Sequence, residues 1–98
     1  MDPAKKLIRK EILRVLKHSA PIGANVALIY QILLAEGFDI SQTDVEQHLA
    51  YLAGEGKDYV ELYETKIEGL GKMHIAKLLP KGVDLLEGNI EMDPGVAE

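Results

Sequence analysis

Apolar residues recur at helical spacing near the start of the chain and define one buried stripe. Asp2 and Pro3 precede the stripe as an N-cap and a first helical residue. Pro21 and Gly23 end the pattern, and Pro21-Ile22 leaves room for one very short strand. The sequence therefore predicts a first helix whose buried positions are Ile8, Ile12, Val15 and Leu16.

Two further helices are predicted between residues 25 and 53. Asn25 caps an almost wholly apolar run over residues 26–35, typical of a helix that is either packed between neighbours or turned toward a second subunit. Ser41 and Asp44 form an S-x-x-D capping box, which marks the start of the third helix. Its predicted buried positions are Val45, Leu49 and Leu52, and Gly54 or Gly56 ends it.

After Gly56 the pattern alternates with a period of two, which predicts strands over residues 59–67 and 72–79. Gly69-Leu70-Gly71 supplies the turn of a hairpin. A register that pairs Leu62 with Leu78 and Ile67 with Met73 keeps like faces together. Pro80 then begins a short final helix that Gly88 ends, and residues 89–98 are expected to have little to bury and to be mobile.

The chain has 98 residues, 47% of them apolar, and no cysteine, which is enough for one domain, residues 1–88, followed by an acidic flexible tail, residues 89–98. Since no apolar run approaches the roughly 18 residues of a membrane span, we expect a soluble cytoplasmic protein with no membrane partner. The net charge of −5 is unevenly distributed. Residues 1–20 carry +4, whereas residues 21–56 carry five acids and no lysine or arginine.

The order helix, short strand, helix, helix, hairpin, helix resembles the winged helix-turn-helix superfamily over residues 5–87. The five-residue connection over residues 36–40 and the segment from Ile75 to Leu86 carry the resemblance, and the latter is similar to the family's L-T-x-x-G-x-x-L-L junction. The fold class implied is α+β, with a three-helix core, a C-terminal hairpin wing and a short final helix. Small bacterial and phage transcriptional regulators share this pattern, but no subfamily can be assigned because neither sensing cysteines nor the Asp and Arg pair of one wing type is present.

The resemblance implies that residues 41–53 enter the major groove of double-stranded DNA and that residues 64–75 form the wing. Amide and hydroxyl groups on helix 3 could then contact bases or backbone, while basic residues of helix 1 and the wing contact phosphates. The residues so implicated are Gln42, Thr43, Gln47, Tyr51, Lys66, Lys72, His74, Lys6, Lys10, Arg14 and Lys17.

Charge supports a rival hypothesis. Asp44 and Glu46 project from the helix that should approach a polyanion, and residues 21–98 contain no arginine. The alternative is therefore a winged-helix module that binds a protein instead of DNA. In it, helix 3 and the acidic segments bind a basic partner, and helix 2 or the hairpin edge forms a dimer face.

No catalytic pattern is found. The three histidines, His18, His48 and His74, fall on different elements and lack the i, i+4 spacing of a helical zinc pair. No nucleophile elbow, phosphate loop or dinucleotide fingerprint occurs. We therefore expect no enzyme activity, no metal and no cofactor.

Overall fold

The computed structural model describes residues 3–97, which form an α+β fold of four helices and a three-stranded antiparallel sheet, as the sequence predicts at this level. In chain order the elements are α1 (Pro3–Ser19), β1 (Ala24–Asn25), α2 (Val26–Ala35), α3 (Gln42–Leu52), β2 (Val60–Ile67), β3 (Gly71–Leu78) and α4 (Pro80–Glu87). The predicted N-cap, Asp2, lies outside the described residues. Across residues 3–97 no helix is both long and apolar enough to cross a bilayer.

The core lies where α1 meets the other three helices and β3. Ile8, Ile12 and Leu16 of the predicted stripe are buried, whereas Val15 is half-buried. The side chains that are fully buried come from α1, α2, α3 and α4, so one core unites the four helices. They are Ile12, Leu13, Leu16, Ile29, Leu33, Val45, Leu49, Leu52 and Leu85.

The capping box at α3 is confirmed. The Ser41 hydroxyl accepts a hydrogen bond from the Asp44 backbone N–H at 3.1 Å, and the Asp44 carboxylate accepts one from the Ser41 N–H at 3.0 Å. These two bonds satisfy backbone donors that the first turn of a helix leaves unpaired. The helix is thus fixed at its N-terminal end, while Ala53 closes it one residue before the predicted glycine.

The short strand was predicted at the wrong residues. Ala24 and Asn25 pair with Ala76 and Ile75 of β3, whereas Pro21-Ile22 lies in the turn after α1. Gly23, with φ +91°, makes the change of direction, and a Cβ there would meet the Ala76 carbonyl oxygen. The backbone therefore becomes extended, and pairs with β3, only from Ala24 onward.

The predicted hairpin register is wrong by two residues. Val60 lies opposite Leu78, and Ile67 lies opposite Gly71 instead of Met73. The turn is tighter than expected because the Leu70 N–H donates to the Ile67 carbonyl at 3.0 Å and Gly69 has φ +83°. Since a shift of two residues keeps each side chain on its face, the predicted inner and outer faces are unchanged.

The C-terminal segment, residues 89–97, was predicted to have little to bury, and this is wrong. Val96 is 4% exposed and Asp93 is 5% exposed. The Ala97 N–H donates to the Lys6 carbonyl at 3.1 Å, which holds the segment against α1. Gly88, with φ +75°, ends α4 as predicted and directs the chain back over the helices. Residues 89–97 are therefore part of the folded domain.

Candidate functional site

Helix α3 presents a row of exposed polar side chains. Gln42, Thr43 and Gln47 are exposed and make no side-chain hydrogen bond with residues 3–97. Glu46 is exposed on the same helix and likewise has no ion pair within that range. Three of the predicted contact residues are thus free to meet a partner, and a carboxylate lies among them.

A cleft of about 520 Å³ separates α3 from the hairpin. Its lining is apolar except for two glutamates and a histidine. We call it the α3–hairpin cleft, and its lining residues are Val26, Glu46, Leu49, Leu62, Tyr63, Glu64, His74 and Ile75. Leu62 and Tyr63 are 43% and 38% exposed, so the cleft leaves two adjacent large side chains open to solvent.

A smaller groove of about 220 Å³ continues the cleft toward the hairpin turn. Val26, Glu46 and His74 line both. Gln42 and Lys72, two of the predicted contact residues, line the extension. The start of α2, the exposed side of α3 and the hairpin therefore meet along one continuous concave surface.

The positive charges of the hairpin are opposed by nearby acids. Glu64 lies 3.8 Å from Lys72 and 3.5 Å from His74 through its two carboxylate oxygens. Lys77 lies 3.6 Å from Glu61. Residues 60–78 carry three acids and three lysines, and α3 adds Asp44 and Glu46 without any lysine or arginine. The surface around the cleft is therefore acidic.

Asp44 contributes to this charge at neutral pH. Hydrogen bonds from the backbone and side chain of Ser41 hold the pKa of Asp44 below its usual value. The carboxylate is thus both part of the helix cap and a fixed negative charge near Gln47, which lies with Asp44 in a separate concavity beside Lys5. The exposed row of α3 carries acids on both sides.

The predicted basic residues of α1 do not lie beside this surface. Arg14 pairs with Glu11 at 3.1 Å, and Lys17 pairs with Glu87 at 3.5 Å. Arg14 and Lys17 also line a concavity of about 730 Å³. Its other lining residues belong to α1, to α4 and to Glu36 at the end of α2, and none belongs to α3 or the hairpin. Burial and the neighbouring Glu11 raise the pKa of Glu36 there.

Lys6 and Lys10 lie toward the C-terminal segment. The Lys6 carbonyl accepts from Ala97, and Lys10 lines a small pocket with Leu85 and Val96. Lys10, Arg14 and Lys17 thus line concavities with the C-terminal segment or α4, apart from the cleft, and the backbone of Lys6 contacts the C-terminal segment.

Tyr51, predicted to reach the DNA backbone, has a different role. Its ring stacks against the guanidinium of Arg9 at 3.7 Å, and its hydroxyl donates to Asp93 at 2.6 Å. The side chain is half-buried between α1 and the C-terminal segment. Tyr51 therefore stabilises the fold, and sequence spacing alone placed it outward because the segment that covers it was expected to be mobile.

Asp93 is the centre of a buried polar cluster that the sequence did not reveal. Its carboxylate accepts hydrogen bonds from the Tyr51 and Tyr59 hydroxyls, the Lys57 ammonium at 2.8 Å and the Gly95 N–H at 2.7 Å. Burial alone would raise the pKa of Asp93, but these four donors outweigh it and hold the pKa below its usual range. The hydrogen bond with Asp93, together with the neighbouring Tyr51 hydroxyl, raises the pKa of Lys57. The sequence Asp93-Pro94-Gly95 is typical of an Asx turn, and it is the local signal that could have indicated this cluster.

Arg9 and His48 complete the cluster. Arg9 is 8% exposed, donates from Nε to Nδ1 of His48 at 3.1 Å and from a terminal nitrogen to the Gly95 carbonyl at 3.3 Å. Burial, reinforced by the positive charge of Arg9, lowers the pKa of His48. His48 is thus a buried neutral acceptor that helps to orient Arg9.

Within residues 3–97 no three acidic, histidine or cysteine side chains are grouped so as to hold a metal ion. Comparison of the chain with models of protein families, with curated proteins and with solved structures finds no match. Function must therefore be argued from the α3–hairpin cleft itself.

Proposed function

We propose that this chain is a protein-contact module and that the α3–hairpin cleft is its contact surface. The observation that carries the proposal is the combination of an apolar lining, including the 43%-exposed Leu62, with Glu46 and Glu64 at the same cleft. Exposed apolar surface bounded by polar residues is typical of protein interfaces. A partner protein would cover Leu62 and exclude water from the lining.

The order of elements supports the location of this surface. It resembles the winged helix-turn-helix superfamily, in which the third helix and the hairpin wing form one contact face. A fold of this kind hosts several unrelated functions, so the nature of the partner has to be argued from the site.

Electrostatics argue for a protein partner over a nucleic acid. Binding to the DNA backbone depends on lysines and arginines that release counterions. Near the cleft these are Lys66 and Lys72, and Lys72 lies within 3.8 Å of Glu64. The α1 cations that were predicted to contact phosphates, such as Arg14 and Lys17, line a different concavity that contains no residue of α3 or the hairpin. The face would therefore bring a negative net charge toward a polyanion.

Double-stranded DNA is the second candidate because one observation favours it. Gln42, Thr43 and Gln47 form an exposed row without internal partners, and amide side chains can bond adenine in the major groove. Such binding would be weak, since the two hairpin lysines and Lys5, which lines a concavity with Gln47, release on the order of three counterions. It would also fall with added salt, but less steeply than for a protein with roughly six to ten phosphate contacts.

The two candidates are separated by one pair of variants. Leu62→Glu places a charge in the cleft, whereas Leu7→Glu makes the same change at a comparably exposed leucine on α1, 47% against 43% exposed. We expect a protein that cross-links to the tagged chain in extracts of its source cells to be retained by Leu7→Glu and lost by Leu62→Glu. Circular dichroism spectra of both variants, compared with that of the wild type, are the control for folding.

Retention of the partner by Leu62→Glu would contradict the proposal. So would binding of mixed duplex DNA that weakens with salt, changes its sequence preference with Gln47→Ala and weakens for all sequences with Lys72→Ala. Sedimentation of the purified chain in the same buffers shows whether the partner is a second copy of the chain.

A further inference from the structure

We infer that the partner of the α3–hairpin cleft is a cationic amphipathic protein segment, one that places a lysine or arginine beside two or three large apolar side chains. The inference rests on the proposed function and adds the chemistry of the partner. It follows from the charges that line the cleft, from the volume of the cleft and from the long ion pairs of Glu64.

The glutamates that line the cleft favour a cationic group on the partner. Glu46 has no ion pair or hydrogen bond with residues 3–97 although it lines both the cleft and its extension. Glu64 lines the cleft from the opposite side, on β2. A partner carboxylate between them would be repelled from both, whereas a lysine or arginine would be attracted to both.

The pairing of Glu64 leaves it available to a partner. Its contacts with Lys72 and His74, at 3.8 and 3.5 Å, are long for ion pairs, and all three side chains are more than half exposed. Exposed pairs of this kind contribute little to stability. An incoming guanidinium, which binds a carboxylate through two donors, can therefore replace them at small cost.

The apolar residues that line the cleft favour large apolar side chains on the rest of the partner segment. Leu62 and Tyr63 are exposed and Ile75 is half-buried, so they leave apolar surface open to water in the cleft. The volume of the cleft, about 520 Å³, is that of a ligand pocket. Leucine-sized side chains spaced along an amphipathic segment fill such grooves in helix-in-groove recognition. A purely basic, polar segment would leave this surface wet and bind less well.

Two designed peptides of about 14 residues test the inference on the full chain. Both carry leucines at helical i, i+3, i+4 and i+7 positions, and they differ only in that the polar positions are all lysine or all glutamate. By fluorescence anisotropy at about 50 mM salt, we expect the lysine peptide to bind at least about tenfold more tightly than the glutamate peptide. A version with serine at the leucine positions should bind more weakly than the lysine peptide.

Matched variants localise the binding. Glu46→Gln and Glu64→Gln should each weaken the lysine peptide roughly two- to fivefold, because each removes one partly exposed ion pair. Glu91→Gln, an equally charge-reducing change at an exposed residue of the C-terminal segment, should leave affinity unchanged. Equal binding of the lysine and glutamate peptides, or equal effects of all three substitutions, would overturn the inference.

The test separates failure of this inference from failure of the proposed function. If Leu62→Glu abolishes the cross-linked partner but the lysine peptide has no advantage, the cleft binds a protein of other chemistry and the inference alone fails. If Leu62→Glu leaves both the partner and the peptide bound, both fail. Stronger DNA binding by Glu46→Gln, together with no peptide binding, would favour the nucleic-acid candidate instead.

Discussion

The Tyr51 hydroxyl donates a 2.6 Å hydrogen bond to the Asp93 carboxylate, joining α3 to a segment 42 residues further along the chain. Through this bond the C-terminal segment is fixed against the helices, and Tyr51 is withdrawn from the exposed row of α3. The contact therefore both completes the fold and limits what α3 can offer a partner.

Asp93→Asn should lower the free energy of unfolding by about 2–4 kcal/mol, because it removes a buried charge from four donors and leaves the Lys57 ammonium without its anion. Urea denaturation at neutral pH measures the change. Glu91→Gln, on an exposed side chain two residues earlier, should change stability by less than about 0.5 kcal/mol.

The pH dependence of Asp93 has a definite sign. Since the folded pKa lies below the unfolded value of about 3.9, its contribution is present above that value and is lost as pH falls toward the folded pKa. Wild type should therefore lose stability between about pH 5 and pH 2 more steeply than Asp93→Asn. Parallel curves would show that the carboxylate is not held as described.

The protonation of His48 makes the free energy of unfolding depend on pH in a second range. Burial and the charge of Arg9 lower its pKa in the folded state, so protonation favours unfolding and stability is lost as pH falls below the unfolded value of about 6.5. Thermal melts between about pH 7 and pH 5 should show a loss of at most about 1.4 kcal/mol per pH unit from this group. His48→Gln should flatten this part of the profile, whereas His18→Gln, at an exposed histidine on α1, should not.

Gly82→Ala should destabilise the fold by about 1–3 kcal/mol. Gly82 is buried in α4 against β2's start, and a Cβ there would meet the Tyr59 carbonyl oxygen and, at 2.6 Å, Cδ1 of Leu78. Because the Tyr59 carbonyl already accepts from the Leu79 N–H, the backbone has little freedom to retreat. Chemical denaturation measures the loss, and Glu87→Ala on the exposed side of the same helix is the control.

Ser41→Ala should cost about 1 kcal/mol by removing the cap of α3, a decrease in Tm of roughly 4–8 °C for a domain of this size. Ser41→Thr keeps the hydroxyl and should restore most of the loss. Thr43→Ala, on an exposed residue with no side-chain hydrogen bond inside residues 3–97, should leave Tm unchanged.

Local signals predicted the helices well. The Ser41–Asp44 box, Asn25 as the cap of α2, and Pro80 with Gly88 at the ends of α4 are all decided by residues within one turn of each other. Strand pairing was less accurate, since β1 and the hairpin register depend on turn geometry at Gly23 and Gly69. A glycine marks such a turn but does not by itself fix how many residues the turn contains.

The candidate contact surface was harder to predict. Exposure of Thr43 and Gln47 follows from helical periodicity, which places them opposite the buried stripe. Gln42 shares the helical face of Leu49 and is exposed at the first position of α3. The positions of Tyr51 and of the α1 cations depend instead on where the C-terminal segment and α4 pack, through contacts between residues up to 86 positions apart, such as Arg9 with Gly95. No local pattern encodes contacts at that separation.

The most direct test of the α3–hairpin cleft is amide chemical-shift mapping of the isotope-labelled full chain, titrated in parallel with the lysine–leucine peptide and with mixed duplex DNA at about 50 mM salt. We expect the peptide to shift the amides of Glu46, Leu49, Leu62 and His74, and the DNA to leave Gln42, Thr43 and Gln47 unchanged. Salt-dependent shifts of those three residues with DNA, and none in the cleft with the peptide, would contradict the central claim.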